Sequence, residues 1–210
     1  MSLEVTTLSK EHEKEFQSYS QLLLQWNQKI NLTAITDPNK VRELHFLDSL
    51  SVVSEIVSRG TIVPRETISI LDIGTGAGLP GLVIKIVRPE IQVTLVDAVK
   101  KKTDFLKTVI RELGLKGVTV LHQFLKKEDK IGSFDVIVSR AAFKMPELIS
   151  LAVPNLKPSG RIIAMKGPHV SQETKGCDDL LSQCQLRPFE EVHYYLPDSK
   201  QERRLLITSF

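Results

Sequence analysis

Hydrophobic positions follow two rhythms along this chain. From Ser9 to Ile30 they recur every three or four residues, at Phe16, Tyr19, Leu22 or Leu23, Trp26 and Ile30, which predicts a helix with one apolar stripe. Glu11, Glu13 and Glu15 lie in its first turns, where the helix dipole favours acids. Pro38 starts a second helical region with a stripe at Val41, Leu44, Leu47 and Leu50. His45, Asp48 and Ser49 share a neighbouring face of it. This region is expected to run out near Arg59-Gly60, with Pro64 marking the join to the next element.

The rhythm then changes to short apolar runs rich in β-branched residues, which read as strands: Ile68 to Ile73, Ile91 to Val96, Val118 to Leu121, Phe134 to Val138 and Arg161 to Met165. Helical stretches separate them, from Leu82 to Val87, from Lys100 to Leu113 and from Pro146 to about Leu156, with Pro158-Ser159-Gly160 expected as a turn. A polar helical stretch follows around Cys177 to Cys184. Two last runs, Glu190 to Leu196 and Arg203 to Thr208, are close enough to read as a hairpin. Alternation of this kind predicts a doubly wound, mostly parallel α/β sheet with helices on both faces and a C-terminal antiparallel hairpin. The expected organisation is an N-terminal helical extension, 1–64, packed on the same domain as the α/β part, 65–210.

Ligands in such sheets bind outside the C-terminal strand ends. Asp72, Asp97, Ser139-Arg140 and Lys166 all fall at those ends, so one site is predicted there. The first strand runs into a glycine loop, D-I-G-T-G-A-G-L-P-G from Asp72 to Gly81. Gly74, Gly76 and Gly78 allow positive φ and close approach of a ligand, and the following helix offers free N–H groups. Gly76-x-Gly78-x-x-Gly81, with Asp97 to take a ribose hydroxyl, also satisfies the dinucleotide pattern. Asp72 argues against a dinucleotide, because a carboxylate at the strand tip repels a pyrophosphate. It suits a cationic ligand, such as an ammonium beside a sulfonium, and so favours S-adenosylmethionine over NAD.

Composition adds charge to this picture. The net charge is only +3, but residues 85–130 hold eleven Lys and Arg against six Asp and Glu, a local excess of five. A solvated helix face or a polyanion-binding surface would each explain it. Cys177 and Cys184 are expected as free thiols. The five histidines (His12, His45, His122, His169, His193) show no metal-ligand spacing, so no metal is expected. With no apolar run near the ~18 residues that span a membrane and no signal pattern at the N-terminus, a cytoplasmic protein is expected. Asn27, Asn31 and Thr33, at the end of the first helix, read either as caps or as functional groups.

Several of these pieces together resemble the bacterial ribosomal small-subunit methyltransferase G family, also called glucose-inhibited division protein B. They are W-N-Q-K-I-N-L-T (26–33), H-F-L-D-S-L (45–50), the glycine loop (72–81), L-V-D (95–97), F-D-V-I-V-S-R-A (134–141) and M-K-G (165–167). The resemblance implies a Rossmann-like class I methyltransferase that uses S-adenosylmethionine to methylate N7 of a guanine in 16S rRNA, in the small ribosomal subunit. A monomer is expected. By the same resemblance, Gly74, Leu79 and Arg140 match cofactor-binding positions, with Asp97 at the ribose acid, while Lys166 and His45 match polar positions near the substrate pocket. The family usually shows Arg, a small apolar residue and Glu where this chain has Phe124-Leu125-Lys126. A backbone contact from Leu125 or Lys126 to the adenosine survives that change; a carboxylate contact does not.

These readings assign Asp72, Gly74, Gly76, Gly78, Leu79, Asp97, Leu125 and Lys126 to the cofactor. Arg140 is assigned to the cofactor or the guanine, and Lys166 and His45 to the reacting end of the site. Lys100, Lys101, Lys102, Lys126 and Lys127, with Lys107, Arg111 and Lys130, form the candidate rRNA backbone footprint. The rivals are a methyltransferase for a small molecule or protein, an NAD-dependent oxidoreductase, and an RNA-binding protein without turnover.

Overall fold

A computed structural model describes residues 8–57, 67–168 and 170–210. The expected helix end near Arg59-Gly60, the join at Pro64, the 64/65 boundary and His169 lie outside the described residues. Helix α1 spans Lys10–Asn27. The Ser9 hydroxyl accepts the His12 N–H, while the His12 ring accepts the Ser9 N–H, a reciprocal cap. The helix stops three residues short of Ile30 because the Asn27 side chain folds the chain back. Its Oδ1 accepts the N–H groups of Leu32 and Thr33, and its Nδ2 donates to the Thr33 carbonyl. Asn27 therefore clamps the Asn31-Leu32-Thr33 loop.

The second helical region is not one α-helix. It comprises α2 (Pro38–Val41), a π-helical segment (Arg42–Leu47) and α3 (Asp48–Val57). The wider π turn shifts the register. Val41, Phe46 and Leu50 reach the core, Leu44 and Leu47 stay half-buried, and Glu43, His45 and Asp48 turn inward.

The chain continues as β1 (Ser69–Ile73), α4 (Gly81–Val87), β2 (Gln92–Asp97), α5 (Lys100–Glu112), β3 (Val118–His122), β4 (Phe134–Arg140), α6 (Met145–Ala152), β5 (Leu156–Lys166), α7 (Val170–Glu173), α8 (Asp178–Gln183), β6 (Glu190–Tyr195) and β7 (Glu202–Ser209). The sheet order is β3-β2-β1-β4-β5-β7-β6. All pairs are parallel except β5 with β7 and β7 with β6. The chain leaves β1 first toward β2 and later toward β4, so the switch point of the topology lies beside the tip of β1.

Side chains alternate across the sheet. Ile70, Val93, Leu95, Val136, Val138, Ile163 and Met165 pack on one face with residues of α1, α3, α4 and α5. Leu71, Ile73, Val96, Ile137, Ile162 and Ala164 pack on the other face with α6 and Leu181 of α8. Phe16, Tyr19 and Leu23 of α1 belong to the same core as the sheet, and the rings of Phe16 and Tyr19 join Phe46 and Phe105 in one aromatic seam.

One boundary differs from expectation. Helix α6 ends at Ala152, gives a 3-10 turn at Val153–Asn155, and β5 begins already at Leu156. Pro154 lacks the N–H that another helical turn needs. Pro158-Ser159-Gly160 is then a bulge inside β5, since Phe134 pairs with Leu156 while Val136 pairs with Arg161.

Candidate active site

At the tips of β1, β2 and β3 lies a cleft of about 190 Å³, lined among others by Gly74, Asp97, Gln123, Phe124, Leu125 and Phe143. Asp97 sits at the end of β2 and is engaged on both carboxylate oxygens. Oδ2 accepts the Gly76 N–H at 2.9 Å and Oδ1 the Val99 N–H at 2.8 Å. These bonds fix the carboxylate at the cleft wall, and each oxygen keeps a further lone pair for a ligand hydroxyl.

Asp72 lies behind the loop and is fully buried. Its Oδ2 accepts the Thr75 hydroxyl at 2.7 Å and the Gly81 N–H at 2.8 Å, while Oδ1 has no partner. Burial raises its pKa to about 6, although the bonds from Thr75 and Gly81 oppose the rise. Asp72 thus organises the glycine loop, and its orphaned oxygen is the feature a cation would satisfy.

The glycines divide the same way. Gly74 borders the cleft at φ +69°, and a Cβ there would strike Ala142 and Phe143, 2.7 and 2.8 Å away. Gly78, at φ +89°, is needed for packing instead, because a Cβ would lie 2.6 Å from the Tyr19 hydroxyl and from Leu82. That hydroxyl donates to the Ala77 carbonyl, so α1 holds the loop directly. Leu79 is buried in the same core. Gly78 and Leu79 therefore do not line the cleft.

The Phe124-Leu125-Lys126 segment splits as well. Leu125 is buried and lines the cleft, whereas the Lys126 side chain is exposed and its N–H donates to Asp129 Oδ2 at 3.0 Å. The adenosine contact expected of Lys126 thus lacks its backbone donor.

Arg140 and His45 form a second cluster at the tip of β4, beneath the π segment. Arg140 Nη2 lies 3.2 Å from His45 Nδ1, and Nη1 donates to the Leu44 carbonyl at 3.0 Å with Asp48 Oδ2 at 3.5 Å. His45 Nδ1 also lies 3.2 Å from the Leu44 carbonyl, so its two neighbours ask opposite roles of it, and Nε2 lies 2.8 Å from Thr33 Oγ1. Burial, then the nearby Arg140 charge, lowers the His45 pKa to about 4. Burial raises the Asp48 pKa against the pull of Arg140 and the Tyr194 hydroxyl, which donates to Asp48 Oδ1 at 2.8 Å. Glu43 accepts the N–H groups of Asp198 and Ser199, which ties the β6–β7 turn to the same segment.

Lys166 reaches the tip of β5 as expected, but it is buried and engaged. Its ammonium donates to the Phe143 carbonyl at 2.6 Å and pairs with Glu173. It anchors the loop after β4 and is not a free cation. Lys101, Lys107, Lys126, Lys127 and Lys130 are exposed, Lys102 is partly so, Lys100 pairs with Asp104, and Arg111 pairs with Glu112. Lys85 does not belong to this basic surface: it is buried and donates to the carbonyls of Pro89 and Ile91. Among the described residues no cluster of His, Cys, Asp and Glu could hold a metal ion.

Sequence reasoning missed Gln123, Phe143 and Glu147 at the cleft. Gln123 sits one residue past a strand end and was discoverable there. Phe143 and Glu147 arrive only because the loop after β4 folds back onto Gly74, for which no local pattern exists.

A glycine loop at the switch point, an acid at the next strand tip and a hairpin-closed sheet define a class I methyltransferase. Solved structures agree on that fold. Magnesium protoporphyrin IX methyltransferase from Synechocystis PCC 6803, with bound SAM, matches with a TM-score of 0.63 at 14% identity over 90% of this chain and 96% of that one. A mutant of MtNAS in complex with S-adenosylmethionine matches at 0.59 and 17% over 95% and 76%. The family model for rRNA small subunit methyltransferase G (GidB) matches residues 12–205, and the chain belongs to that family. Among its relatives, ribosomal RNA small subunit methyltransferase G of Lactococcus lactis is 35% identical over 95% of this chain and 84% of its own length. The protein of the same name from Streptococcus agalactiae is 36% identical over 97% and 85%.

Proposed function

We propose that this S-adenosylmethionine-dependent rRNA methyltransferase modifies N7 of a guanine in 16S rRNA, acting as a monomer on the small ribosomal subunit in the cytoplasm. The observation that supports the choice of atom is that the polar groups at the tips of β1, β4 and β5 are already engaged or buried, while the exposed Glu147 carboxylate lies on the cofactor cleft. His45 is already engaged by Arg140, Asp72 and Asp48 are buried, and Lys166 is paired with Glu173. Guanine N7 carries an unprotonated lone pair at neutral pH, so no residue has to remove a proton. Alignment and electrostatics suffice.

The residues fit the cofactor. Asp97 would take the ribose hydroxyls, Gly74 and Leu125 would border the adenosine, and the unpartnered Asp72 oxygen would stabilise the positive methionine end from behind the loop. Among the described residues the Arg140 Nε–H has no hydrogen-bond partner, and with a second Nη2–H it would offer a side-on fork that matches the methionine carboxylate. When bound, the cofactor supplies an electrophilic methyl group on a sulfonium. The cleft of about 190 Å³ is smaller than the ~300–1,000 Å³ of most ligand pockets. In this reading Lys166 positions the loop after β4 and His45 positions Arg140.

The test is methyl transfer from labelled S-adenosylmethionine to small subunits lacking the modification, followed by N7-specific chain cleavage. A single cleavage at one 16S guanine is expected. Transfer to any other atom would overturn the reading.

A further inference from the structure

Among the described residues only three large hydrophobic side chains are exposed: Val99, Phe124 and Tyr195, at 45%, 74% and 66%. A single exposed apolar residue needs no explanation. Two of these three, however, share one rim. The exits of β2 and β3 are joined side by side, because the Gln123 N–H donates to the Asp97 carbonyl and the His122 ring bonds the Ala98 carbonyl. Val99 and Phe124 are the next residues on the two strands.

The exposure of Phe124 is built in. Leu125, immediately after it, is buried in the core, and Asp129 closes the loop by accepting from the Gln123 side chain and the Lys126 N–H. With both neighbours held, the ring at 124 is presented outward from a braced loop. Exposed cations flank it in sequence on both strand exits: Lys100 and Lys101 after Val99, Lys126 and Lys127 after Leu125. An aromatic face among phosphate-seeking charges is the combination that binds an unpaired nucleotide, with the ring stacking the base and the lysines holding the backbone.

We infer that Phe124 is a stacking platform for an unpaired base of the RNA substrate at the mouth of the cofactor cleft. This rests on the rRNA reading above, and it adds a contact that selects single-stranded over paired RNA at that rim. The ring also borders the cleft, so the adenine of the cofactor is the competing partner, and the experiment separates the two.

Phe124→Ala, Phe124→Leu and Phe124→Tyr are compared for KM toward unmethylated small subunits, kcat, and Kd for S-adenosylmethionine. Stacking on RNA predicts that Phe124→Ala raises KM for subunits roughly tenfold or more, a larger change than in the Kd for S-adenosylmethionine. Phe124→Tyr stays close to the wild type, and Phe124→Leu behaves like Phe124→Ala. An unchanged KM in Phe124→Ala overturns the inference, as does full rescue by leucine. A loss of cofactor affinity with unchanged KM assigns the ring to adenine and overturns it equally. Failure of the underlying rRNA reading is visible separately, because the unmodified protein would then not methylate subunits at all.

Discussion

The two halves of the site are built differently. On the β2–β3 side, the groups at the cleft are held by backbone and keep bonding capacity for a ligand: Asp97 by the N–H groups of Gly76 and Val99, Phe124 by a braced loop. On the β4–β5 side, the polar groups are bonded mainly to one another. Arg140 joins His45, Leu44 and Asp48, Asp48 joins Tyr194, and Lys166 joins Glu173. The open side can give up one contact and keep its shape. The closed side cannot, because any deletion strands a partner in a buried place. Affinity and stability should therefore separate between the two sides.

Arg140→Ala against Asp97→Asn breaks or confirms that separation and carries the largest effect. Removing Arg140 leaves the Leu44 carbonyl without its donor and Asp48 with the Tyr194 hydroxyl and Arg203 at 3.6 Å, and should cost about 2 to 3 kcal/mol of stability as well as cofactor affinity. Asp97→Asn keeps the shape and one good acceptor. It should cost about 1 kcal/mol of stability but weaken cofactor binding roughly ten- to a hundredfold. Urea unfolding and cofactor titration of both variants decide the point. Equal stability losses would mean that the two sides do not differ. Cofactor binding left intact by Arg140→Ala, with turnover lost, would move Arg140 from the cofactor to the guanine.

The open side was the more legible in the sequence, and the reason is physical. Asp97 and Gly74 follow from strand ends and a glycine turn, which are local patterns. Gly78 carries the same local signature, yet its missing Cβ serves Tyr19, a residue 59 positions earlier. The parallel sheet and the hairpin were readable from alternation. The inward turn of Glu43, His45 and Asp48 was not, because it depends on a π segment whose apolar spacing passes for an ordinary helix. The start of β5 was misplaced for a similar reason: a bulge carrying Pro158, Ser159 and Gly160 looks like a turn.

His45 sharpens the comparison through pH. Its folded pKa of about 4 lies below the ordinary value of 6.5. Between those values the unfolded chain binds more protons, so the His45 contribution is lost as pH falls through that window. Asp72, raised from 3.8 to about 6, acts in the opposite sense: between those values the folded chain binds more protons, and its contribution falls as pH rises. The two offset each other in the wild type. His45→Gln should remove only the first, so the wild type loses up to roughly 3 kcal/mol relative to the variant between pH 6.5 and 4. Parallel stability curves for the two proteins would show that His45 does not titrate as the cluster requires.

The smallest effect per residue belongs to the exposed lysines, and here salt dependence says more than affinity. Lys101, Lys126 and Lys127 are exposed and none makes a side-chain ion pair in the described structure, whereas Lys100 already pairs with Asp104. Each phosphate contact releases counterions, so log K falls with log salt by about 0.7 per contact on single-stranded RNA. Replacing all three by alanine should reduce the slope of subunit binding by about 2, with each substitution alone weakening binding only a few-fold. Lys116 is the control, since it is also exposed but precedes β3 and so lies at the opposite end of the strand. A slope that falls equally in Lys116→Ala would mean a diffuse positive field rather than a footprint at the cleft. A slope unchanged in the triple variant would place the RNA backbone elsewhere and leave the lysines as a solvated helix face.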